Sequence, residues 1–278
     1  MHIPPYDNRN APIVDVDDAH VPLVYFNIVK LKQGEAFEYR VPGYETCIVP
    51  ATGTVDVDVE GARFDALGGR GVDVWDGEPQ GVYVPTGAKA TMVCTSPTAE
   101  VFVAGAKFDK VLEPFDVREH DLVQYGSDET KTHRKIKHIL GQKHHDRVGR
   151  LLVSELYTVG AGGWSGFPSH KHDTDRLPIE TRHDECYNFR FRPDHGSGLQ
   201  MLQRVDNEVG DAYHIVNGST VLIDKGYHPC CVLPGYEMYY FTILGGLSQR
   251  PLVQYFQPTH ADQLETIPGI KDMIAKFK

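Results

Sequence analysis

An internal repeat limits this chain to folds that can be built from two similar halves. The stretch VYVPTGAKATMV at residues 82–93 aligns with VLIDKGYHPCCV at residues 221–232 at a constant offset of 139 residues, so that Gly87 falls on Gly226. Under the same offset EVFVAG falls near the strand-like YYFTIL, and upstream GYETCIV matches HDECYNF with one residue of slippage. Three matches in the same order indicate a tandem duplication.

Strand-like runs fill both copies. Runs rich in Val, Ile, Tyr, Phe and Thr, such as TCIVPATGTVDVDVEG and LLVSELYTVG, recur along the chain and are broken by Gly, Pro or Asp. Helical periodicity is found at the end, where ADQLETIPGIKDMIAKFK predicts a short C-terminal helix after Pro268. With 278 residues and 41% hydrophobic content the chain can bury a sizeable core. The sequence therefore predicts an all-β protein of two repeated units.

A polar stretch, SDETKTHRKIKHILGQKHHDRVGR, separates the two strand-rich halves. We place the N-terminal half at residues 1–115, a linker at 116–148 and the C-terminal half at 149–278. His144 and His145 lie in this linker and are expected to be solvated.

Charge and hydropathy argue against two classes of partner. The net charge is −10 and the basic residues are scattered, which argues against nucleic acid. No apolar run approaches the roughly 20 residues of a membrane span, and the start of the chain lacks the pattern of a signal peptide. We therefore expect a cytoplasmic protein with no membrane contact, whose five cysteines, which form no CxxC pair, are reduced and mostly buried.

Two histidines one residue apart are the first candidate metal ligands. Alternate side chains of a strand share a face, so His170 and His172 would present two imidazoles to one ion. Such a pair is weak evidence alone in a chain with 14 histidines. Glu185, on the next strand-like run, and His228, in the turn GYHP, are available to complete the set. Three imidazoles and a carboxylate suit one divalent transition metal ion, Zn, Mn, Fe, Co or Ni, rather than Ca or Mg.

This arrangement resembles the cupin superfamily, and nearly the whole chain is similar to the bicupin family of 5-deoxyglucuronate isomerases of myo-inositol catabolism. The resemblance is carried by ETCIVPATG at 45–53, GGRGVDVWDGEPQGVYVPTGA at 68–88, GGWSGFPSHKHDT at 162–174, DECYNFRF at 184–191, GYHP at 226–229 and YEMYYFTILGG at 236–246. It implies a tandem cupin of two β-barrels, or double-stranded β-helices, with a short C-terminal helix. It also implies that the metal is held by His170, His172, Glu185 and His228.

The family's activity gives the expected function. The resemblance implies a metal-dependent aldose-ketose isomerase, an intramolecular oxidoreductase that converts 5-deoxy-D-glucuronate to 5-keto-2-deoxy-D-gluconate. Aldose-ketose isomerisation moves a proton through an enediol, and a divalent ion stabilises the charge that grows on the carbonyl oxygen. Bicupins commonly associate, so a homo-oligomer acting on a small uronate is expected.

Departures from the family pattern leave the substrate open. Asn188 stands in a run that is usually rich in tyrosine, and Met201 replaces an arginine of the family pattern. One alternative is the ketol-isomerase of pectin breakdown, which acts on 4-deoxy-L-threo-5-hexosulose-uronate. A metal-dependent dioxygenase and a non-catalytic sugar-binding cupin are further alternatives.

Strand parity selects a candidate proton carrier. Tyr187 lies two residues beyond Glu185 and should face the ion, whereas Arg190 and Arg192 have the opposite parity and should face outward as ordinary charges. His183 shares the parity of Glu185 and is either a proton shuttle or a residue of the loop mouth.

The substrate carboxylate requires a cation or an amide donor. Gln200 and Arg204 share a strand face and Lys225 flanks the metal turn, so these residues, with Tyr240, are candidates for substrate binding. For each of them a solvated surface position is the alternative.

The N-terminal half lacks the ligand pattern. Lys89 stands at the position of His228, no HxH is present, and Glu45, which falls on Glu185, would stand alone. We interpret this half as a β-barrel without metal ligands that packs against the C-terminal half.

Overall fold

Strands with one apolar face make up most of this fold. Thr54–Val59 alternates half-buried Thr and Asp with buried valines, the pattern of a sheet that covers a core on one side. The computed structural model describes residues 1–276, and within this range the strands form two β-barrels. Phe277 and Lys278, the end of the predicted helical run, lie outside the described residues.

The N-terminal barrel encloses an apolar core between two sheets. After the short strand β1 (His2–Ile3), its strands are β2 (Val24–Lys32), β3 (Ala36–Tyr39), β4 (Tyr44–Thr52), β5 (Thr54–Val59), β6 (Ala62–Gly68), β7 (Gly81–Val84), β8 (Ala90–Cys94), β9 (Thr98–Lys107) and β10 (Phe115–Val117). The five-stranded sheet has the order β10-β7-β4-β9-β2 and the four-stranded sheet the order β3-β8-β5-β6. Val29, Leu67 and Met92 are fully buried between them.

The C-terminal barrel repeats this plan. Its elements are β11 (Asp121–Tyr125), β12 (Arg134–Leu140), β13 (Leu151–Thr158), β14 (Trp164–Ser165), β15 (His170–Lys171), β16 (His183–Arg192), β17 (Ser197–Leu202), β18 (Asp211–Val216), β19 (Thr220–Ile223), β20 (Cys230–Val232), β21 (Glu237–Gly246), β22 (Tyr255–Phe256), α1 (Gln263–Thr266) and α2 (Ile270–Lys276), with 3-10 turns at Gln142–His144 and Pro258–His260. The sheets have the orders β1-β19-β16-β21-β13-β12-β11 and β14-β20-β17-β18, and β15 pairs with β22. The predicted all-β architecture with a short C-terminal helix is confirmed.

Sheet register reveals how the repeat is aligned. Two sets of paired residues differ by the same 139 positions: Thr46, Val84 and Gly105 in one barrel, and Glu185, Ile223 and Leu244 in the other. The structural counterpart of Glu185 is therefore Thr46, and Glu45 corresponds to Asp184. The slippage assumed in the sequence alignment is not present in the sheets.

The segment expected to be a linker contains strands of the C-terminal sheet. Within residues 116–148, β11 pairs with β12 and β12 pairs with β13. Their basic side chains are covered by aromatic rings: the guanidinium carbon of Arg134 lies 4.8 Å from the ring centroid of Tyr125, and Lys137 Nζ lies 5.3 Å from that of Tyr157. The sheet thus accommodates a run of basic residues, with these charges lying over aromatic faces.

One histidine of that segment is buried, contrary to expectation. The His144 ring stacks on Phe115 with a centroid separation of 5.5 Å and is 8% exposed, whereas His145 is exposed as predicted. His144 of the predicted linker therefore contacts β10, the last strand of the N-terminal barrel.

The two barrels pack through the outer faces of their large sheets. The ring centroids of Phe102 in β9 and Phe241 in β21 are 4.6 Å apart. Arg190, expected to face outward as an ordinary charge, instead lies at this junction, where Nη2 is 2.7 Å from Glu100 Oε1. Arg192 is exposed, as predicted. The junction is thus an extended apolar core with ion pairs at its margin.

A buried carboxylate in each barrel accepts hydrogen bonds from the backbone at the start of the other. Glu45 accepts the N–H groups of Gly149, Arg150 and Leu151 at 2.8, 2.5 and 2.7 Å, ahead of and at the first residue of β13. Its counterpart Asp184 accepts the N–H of Leu23, just before β2, at 3.0 Å. These reciprocal contacts fix where β13 and β2 begin.

Two predictions about exposure and redox state can be compared with the fold directly. All five cysteines are free and buried, as predicted. Within residues 1–276 neither helix has the length and apolar character that a membrane span requires.

Candidate metal centre

Three histidines converge inside the C-terminal barrel. His170 in β15, His172 just after it and His228 just before β20 offer ligand atoms that all lie within 4.8 Å of one another. Glu185 Oε2 lies 3.2 Å from His172 Nε2 and 3.3 Å from His228 Nε2. The four residues predicted as ligands therefore share one site, and a cluster of this kind suggests metal binding.

Backbone carbonyls fix the orientation of all three rings. The Nδ1 atoms lie next to carbonyl oxygens, His170 to Pro168 at 3.1 Å, His172 to His183 at 3.1 Å and His228 to Gly226 at 2.8 Å. A ring that donates Nδ1–H to a carbonyl keeps the lone pair on Nε2. The three lone pairs are therefore held ready for a cation, and the residues fit a divalent transition metal ion.

Electrostatics within the cluster keep its carboxylate ionised. Burial alone would raise the pKa of Glu185, but contacts with His172 and His228 hold it well below its usual value. Burial lowers the pKa of His170 well below normal, and the neighbouring imidazoles lower it further. Thr242 Oγ1 donates to Glu185 Oε1 at 2.7 Å. The site thus combines a negative charge with imidazoles, the combination that a divalent cation requires.

The turn that presents His228 depends on a glycine. Gly226 has φ +92°, and a Cβ there would lie 2.3 Å from the carbonyl oxygen of Gln203. Its N–H donates to Asp173 Oδ2 at 2.9 Å, which ties the turn to the residue that follows His172. Only glycine satisfies both the backbone conformation and the close approach.

Gln200 supports the same turn and does not line the cavity. It was expected to bind substrate, but its side chain is buried and Nε2 donates to the carbonyl oxygens of His228 at 2.8 Å and Pro229 at 3.2 Å. Arg204, expected to share its strand face, lies beyond the end of β17, and the use of the Gln200 amide by the backbone was not predictable from sequence.

A cavity of about 50 Å³ adjoins the cluster. One water needs about 10–15 Å³ of such space, so a few water molecules would fill it. The lining includes Tyr125, Arg134, Phe167, Tyr187, Tyr240, Gln254, Phe256 and Met273. Strands β12, β16 and β21 supply its floor, and the segment from β22 to α2 covers it.

Two tyrosines predicted at the site lie in this cavity. The ring centroids of Tyr187 and Tyr240 are 4.6 Å apart, and that of Tyr187 is 6.3 Å from the His228 ring. Burial, and then the Glu185 carboxylate, raise the pKa of Tyr187 well above its usual value, and burial raises the pKa of Tyr240 likewise. Both side chains are therefore neutral phenols.

The predicted cations lie elsewhere. Arg204 Nη1 is 2.8 Å from Asp211 Oδ2 and Nη2 is 3.4 Å from Asp224 Oδ1, while Lys225 is exposed. Neither lines the cavity: Arg204 follows the end of β17 beside its acidic partners, and Lys225 follows the end of β19. His183 is also outside it: the ring is buried, and its Nε2 lies 3.1 Å from the carbonyl oxygen of Arg250.

Sequence reasoning missed three polar residues of the site. Arg134 lines the cavity from β12, inside the supposed linker, and Thr242 contacts Glu185. Gln254 Nε2 lies 2.9 Å from His170 Nε2. A signal existed for Thr242, which shares the strand parity of Tyr240, but the basic composition around Arg134 concealed a strand.

The N-terminal barrel has no comparable cluster in the part of the chain that the structure describes. At the position of Glu185 it has Thr46, whose Oγ1 lies 2.9 Å from the hydroxyl of Tyr39. Lys89, at the position of His228, points outward and pairs with Glu38 at 3.0 Å.

Known proteins are similar to this chain over most of its length. The model of the KduI/IolB family matches residues 2–263. The protein named 5-deoxy-glucuronate isomerase in Geobacillus thermodenitrificans (strain NG80-2) is 29% identical over 252 residues, 87% of each chain. The protein of that name in Shouchella clausii (strain KSM-K16) is 30% identical over 235 residues, 84% of this chain and 85% of the relative.

Solved structures show the same architecture. An IolB-like protein from Salmonella typhimurium LT2 has a TM-score of 0.80 at 24% identity, covering 94% of this chain and 98% of its own. An oxalate decarboxylase variant from Bacillus subtilis has a TM-score of 0.60 at 8% identity, covering 91% and 75%. At these identities the likeness concerns the fold, and it confirms the predicted tandem cupin.

Proposed function

This chain belongs to the KduI/IolB family, and on that basis we propose that it is the isomerase that converts 5-deoxy-D-glucuronate to 5-keto-2-deoxy-D-gluconate. The names of its curated relatives support an isomerase of this substrate class. One observation carries the proposal to this chain's own residues: three imidazole rings and one carboxylate converge beside a cavity in the C-terminal barrel.

We propose that His170, His172, Glu185 and His228 hold one divalent transition metal ion, Zn, Mn, Fe, Co or Ni. When bound, such an ion polarises a carbonyl oxygen and acidifies a neighbouring hydroxyl, which is the chemistry that enediol formation requires. The protein's own part is to keep the three Nε2 lone pairs aimed inward, which the carbonyl contacts at Nδ1 achieve.

Tyr187 remains the candidate for a group that exchanges a proton with the sugar. Its ring lies between the cluster and Tyr240, and it lines the cavity. A hydroxyl in that place is within reach of a sugar whose carbonyl end is at the histidines.

The cavity would protect the reaction from bulk water. Phe167, Phe256 and Met273 cover it with apolar surface, which keeps an enediol from competing solvent protons. Its volume of about 50 Å³ is smaller than a six-carbon sugar acid, so the cavity would have to widen on substrate entry. The homo-oligomer expected from the family resemblance stays a prediction.

The test is an assay of metal-analysed protein. Ketone formation from 5-deoxy-D-glucuronate is followed by NMR before chelation, after chelation and after return of each metal. We expect turnover that is lost on chelation and restored by metal. His228→Ala should lose both metal and at least about 100-fold in activity, whereas the control His145→Ala, at an exposed histidine, should lose neither.

Two results would contradict the proposal. Full metal content and activity in His228→Ala would exclude the metal role of the cluster. Metal-loaded wild-type protein that turns over 4-deoxy-L-threo-5-hexosulose-uronate but not 5-deoxy-D-glucuronate would exclude the proposed substrate.

A further inference from the structure

We propose that Arg134 binds the carboxylate of the substrate and thereby makes the site selective for sugar acids over neutral sugars. This inference rests on the isomerase function proposed above. Gln200, Arg204 and Lys225 are the sequence-based candidates for binding the substrate carboxylate, and the inference gives this role to Arg134 instead.

The Arg134 guanidinium is buried without an acidic partner. It is 4% exposed, Nη1 donates to Ser165 Oγ at 2.5 Å, and Nε has no hydrogen-bond partner. No carboxylate within residues 1–276 forms an ion pair with it. A buried cation with one neutral acceptor is strongly unfavourable unless something else supplies negative charge.

Other buried cations of the described chain are compensated. Arg70 Nη1 lies 2.7 Å from Glu155 Oε1, and Lys137 Nζ lies 2.9 Å from Glu78 Oε2. Arg250 donates to three backbone carbonyls. Arg134 differs because its partners are a single hydroxyl and the ring of Tyr125.

The cation lies in the same cavity as the histidines. Arg134 is the one Lys or Arg in the cavity lining found in residues 1–276. From it, Ser165 Oγ leads to the Tyr240 hydroxyl at 2.5 Å, and Tyr240 stacks near Tyr187, which borders His228. The guanidinium and the imidazoles thus lie at opposite ends of the tyrosine pair.

A linear sugar acid carries a group for each of these two parts of the cavity. The carbonyl carbon and the carboxylate carbon of a six-carbon uronate are roughly 6 Å apart when the chain is extended, since each C–C bond is about 1.5 Å. With the carbonyl end at the histidines, the carboxylate end would meet the unpaired Nε edge of Arg134. Two parallel N–H donors on a planar guanidinium match a carboxylate better than an ammonium does.

The opposite orientation would leave the guanidinium without an anion. With the carbonyl end of the sugar beside Arg134, its partners would remain Ser165 Oγ and the Tyr125 ring, and the buried cation would gain no negative charge. Arg134 therefore selects which end of the sugar reaches the cluster.

The experiment compares two substrates on the wild-type protein and three variants. Arg134→Met, Arg134→Lys and the control Arg192→Met, at an exposed arginine, are assayed with 5-deoxy-D-glucuronate and with its primary amide. For Arg134→Met we expect kcat/KM to fall about 100-fold or more on the acid, mainly through KM, and less than about threefold on the amide. Arg134→Lys should fall between, and Arg192→Met should match wild type.

A structural role would give a different pattern. Equal losses of kcat/KM on acid and amide, or no loss on either, would overturn the inference. Thermal melting and metal content of each variant are measured alongside. A further variant, Arg134→Ala, tests chemical rescue: added guanidinium ion should restore part of its activity on the acid substrate.

A failure of the proposed isomerase function can be distinguished from a failure of the role proposed for Arg134. If wild-type protein isomerises neither compound, the function falls, and the inference is then tested by calorimetric binding of D-glucuronate. Binding that is at least about tenfold weaker in Arg134→Met supports the carboxylate role. Equal binding by the two proteins overturns it.

Discussion

Replacing Glu45 with glutamine should weaken the junction between the barrels severely. The carboxylate is fully buried and has four donors: Oε1 accepts the N–H groups of Arg150 and Leu151, while Oε2 accepts the N–H of Gly149 at 2.8 Å and the hydroxyl of Tyr83 at 2.6 Å. Glutamine has the same shape but presents an NH2 group where one of these oxygens lies. Whichever way the amide turns, two donors then face a donor.

The size of the effect follows from this count. The Tyr83 hydroxyl can rotate away, but a backbone N–H cannot, so one or two buried donors lose their acceptor at about 1–3 kcal/mol each. The remaining bonds also weaken because their acceptor loses its charge. The expected destabilisation is roughly 3–5 kcal/mol, a large part of the 5–15 kcal/mol that typical domains possess.

Urea unfolding followed by tryptophan fluorescence measures this loss. Trp75 packs on Tyr157 and Tyr239 at the junction and Trp164 lies in β14, so single Trp→Phe variants report the junction and the C-terminal barrel separately. Glu38→Gln, at an exposed glutamate paired with Lys89, is the matched control and should change stability by less than about 0.5 kcal/mol. A Glu45→Gln protein within about 1 kcal/mol of wild type would refute the reasoning.

Three further outcomes are expected. Asp184→Asn should cost about 1 kcal/mol in urea, less than the change above, because its carboxylate accepts one backbone N–H, from Leu23; an equal loss would count against this reasoning. Burial lowers the pKa of His138 to about 4, so between about pH 6.5 and 4 the unfolded chain binds a proton that the folded chain does not. Stability should therefore fall by up to roughly 3 kcal/mol as the pH drops through that window, and an unchanged slope in His138→Gln would contradict this. Gly226→Ala should lower bound metal, measured by mass spectrometry on folded protein, because its Cβ would collide with a backbone carbonyl; undiminished metal content would show that the turn adapts.

The repeat was predictable where conformation constrains the residue type. Gly87 and Gly226 align because both have positive φ, +66° and +92°, which side chains disfavour. Glu45 was placed on Glu185 because the two residues are chemically alike, but the sheet register assigns that position to Thr46. Identity of side chain is thus a weaker guide to register than the need for a particular backbone turn.

The convergence of the histidines was predictable, but the residues around them were less so. Strand parity and a glycine turn predicted that His170, His172 and His228 converge, and in the structure they share one site. Arg134 was not predictable because its strand is rich in charge and is stabilised by rings from other strands. Its position depends on long-range pairing that local patterns do not encode.

β1 comes first in the chain but pairs with β19 in the C-terminal barrel, and this constrains when the sheet can form during synthesis. His2 pairs with Val221, and its ring Nε2 lies 3.2 Å from Ser219 Oγ, 217 residues away along the chain. A ribosome adding about 5–20 residues per second needs roughly 10–40 s to supply that partner. During synthesis this strand must wait unpaired, and the sheet closes only after β19 has left the exit tunnel.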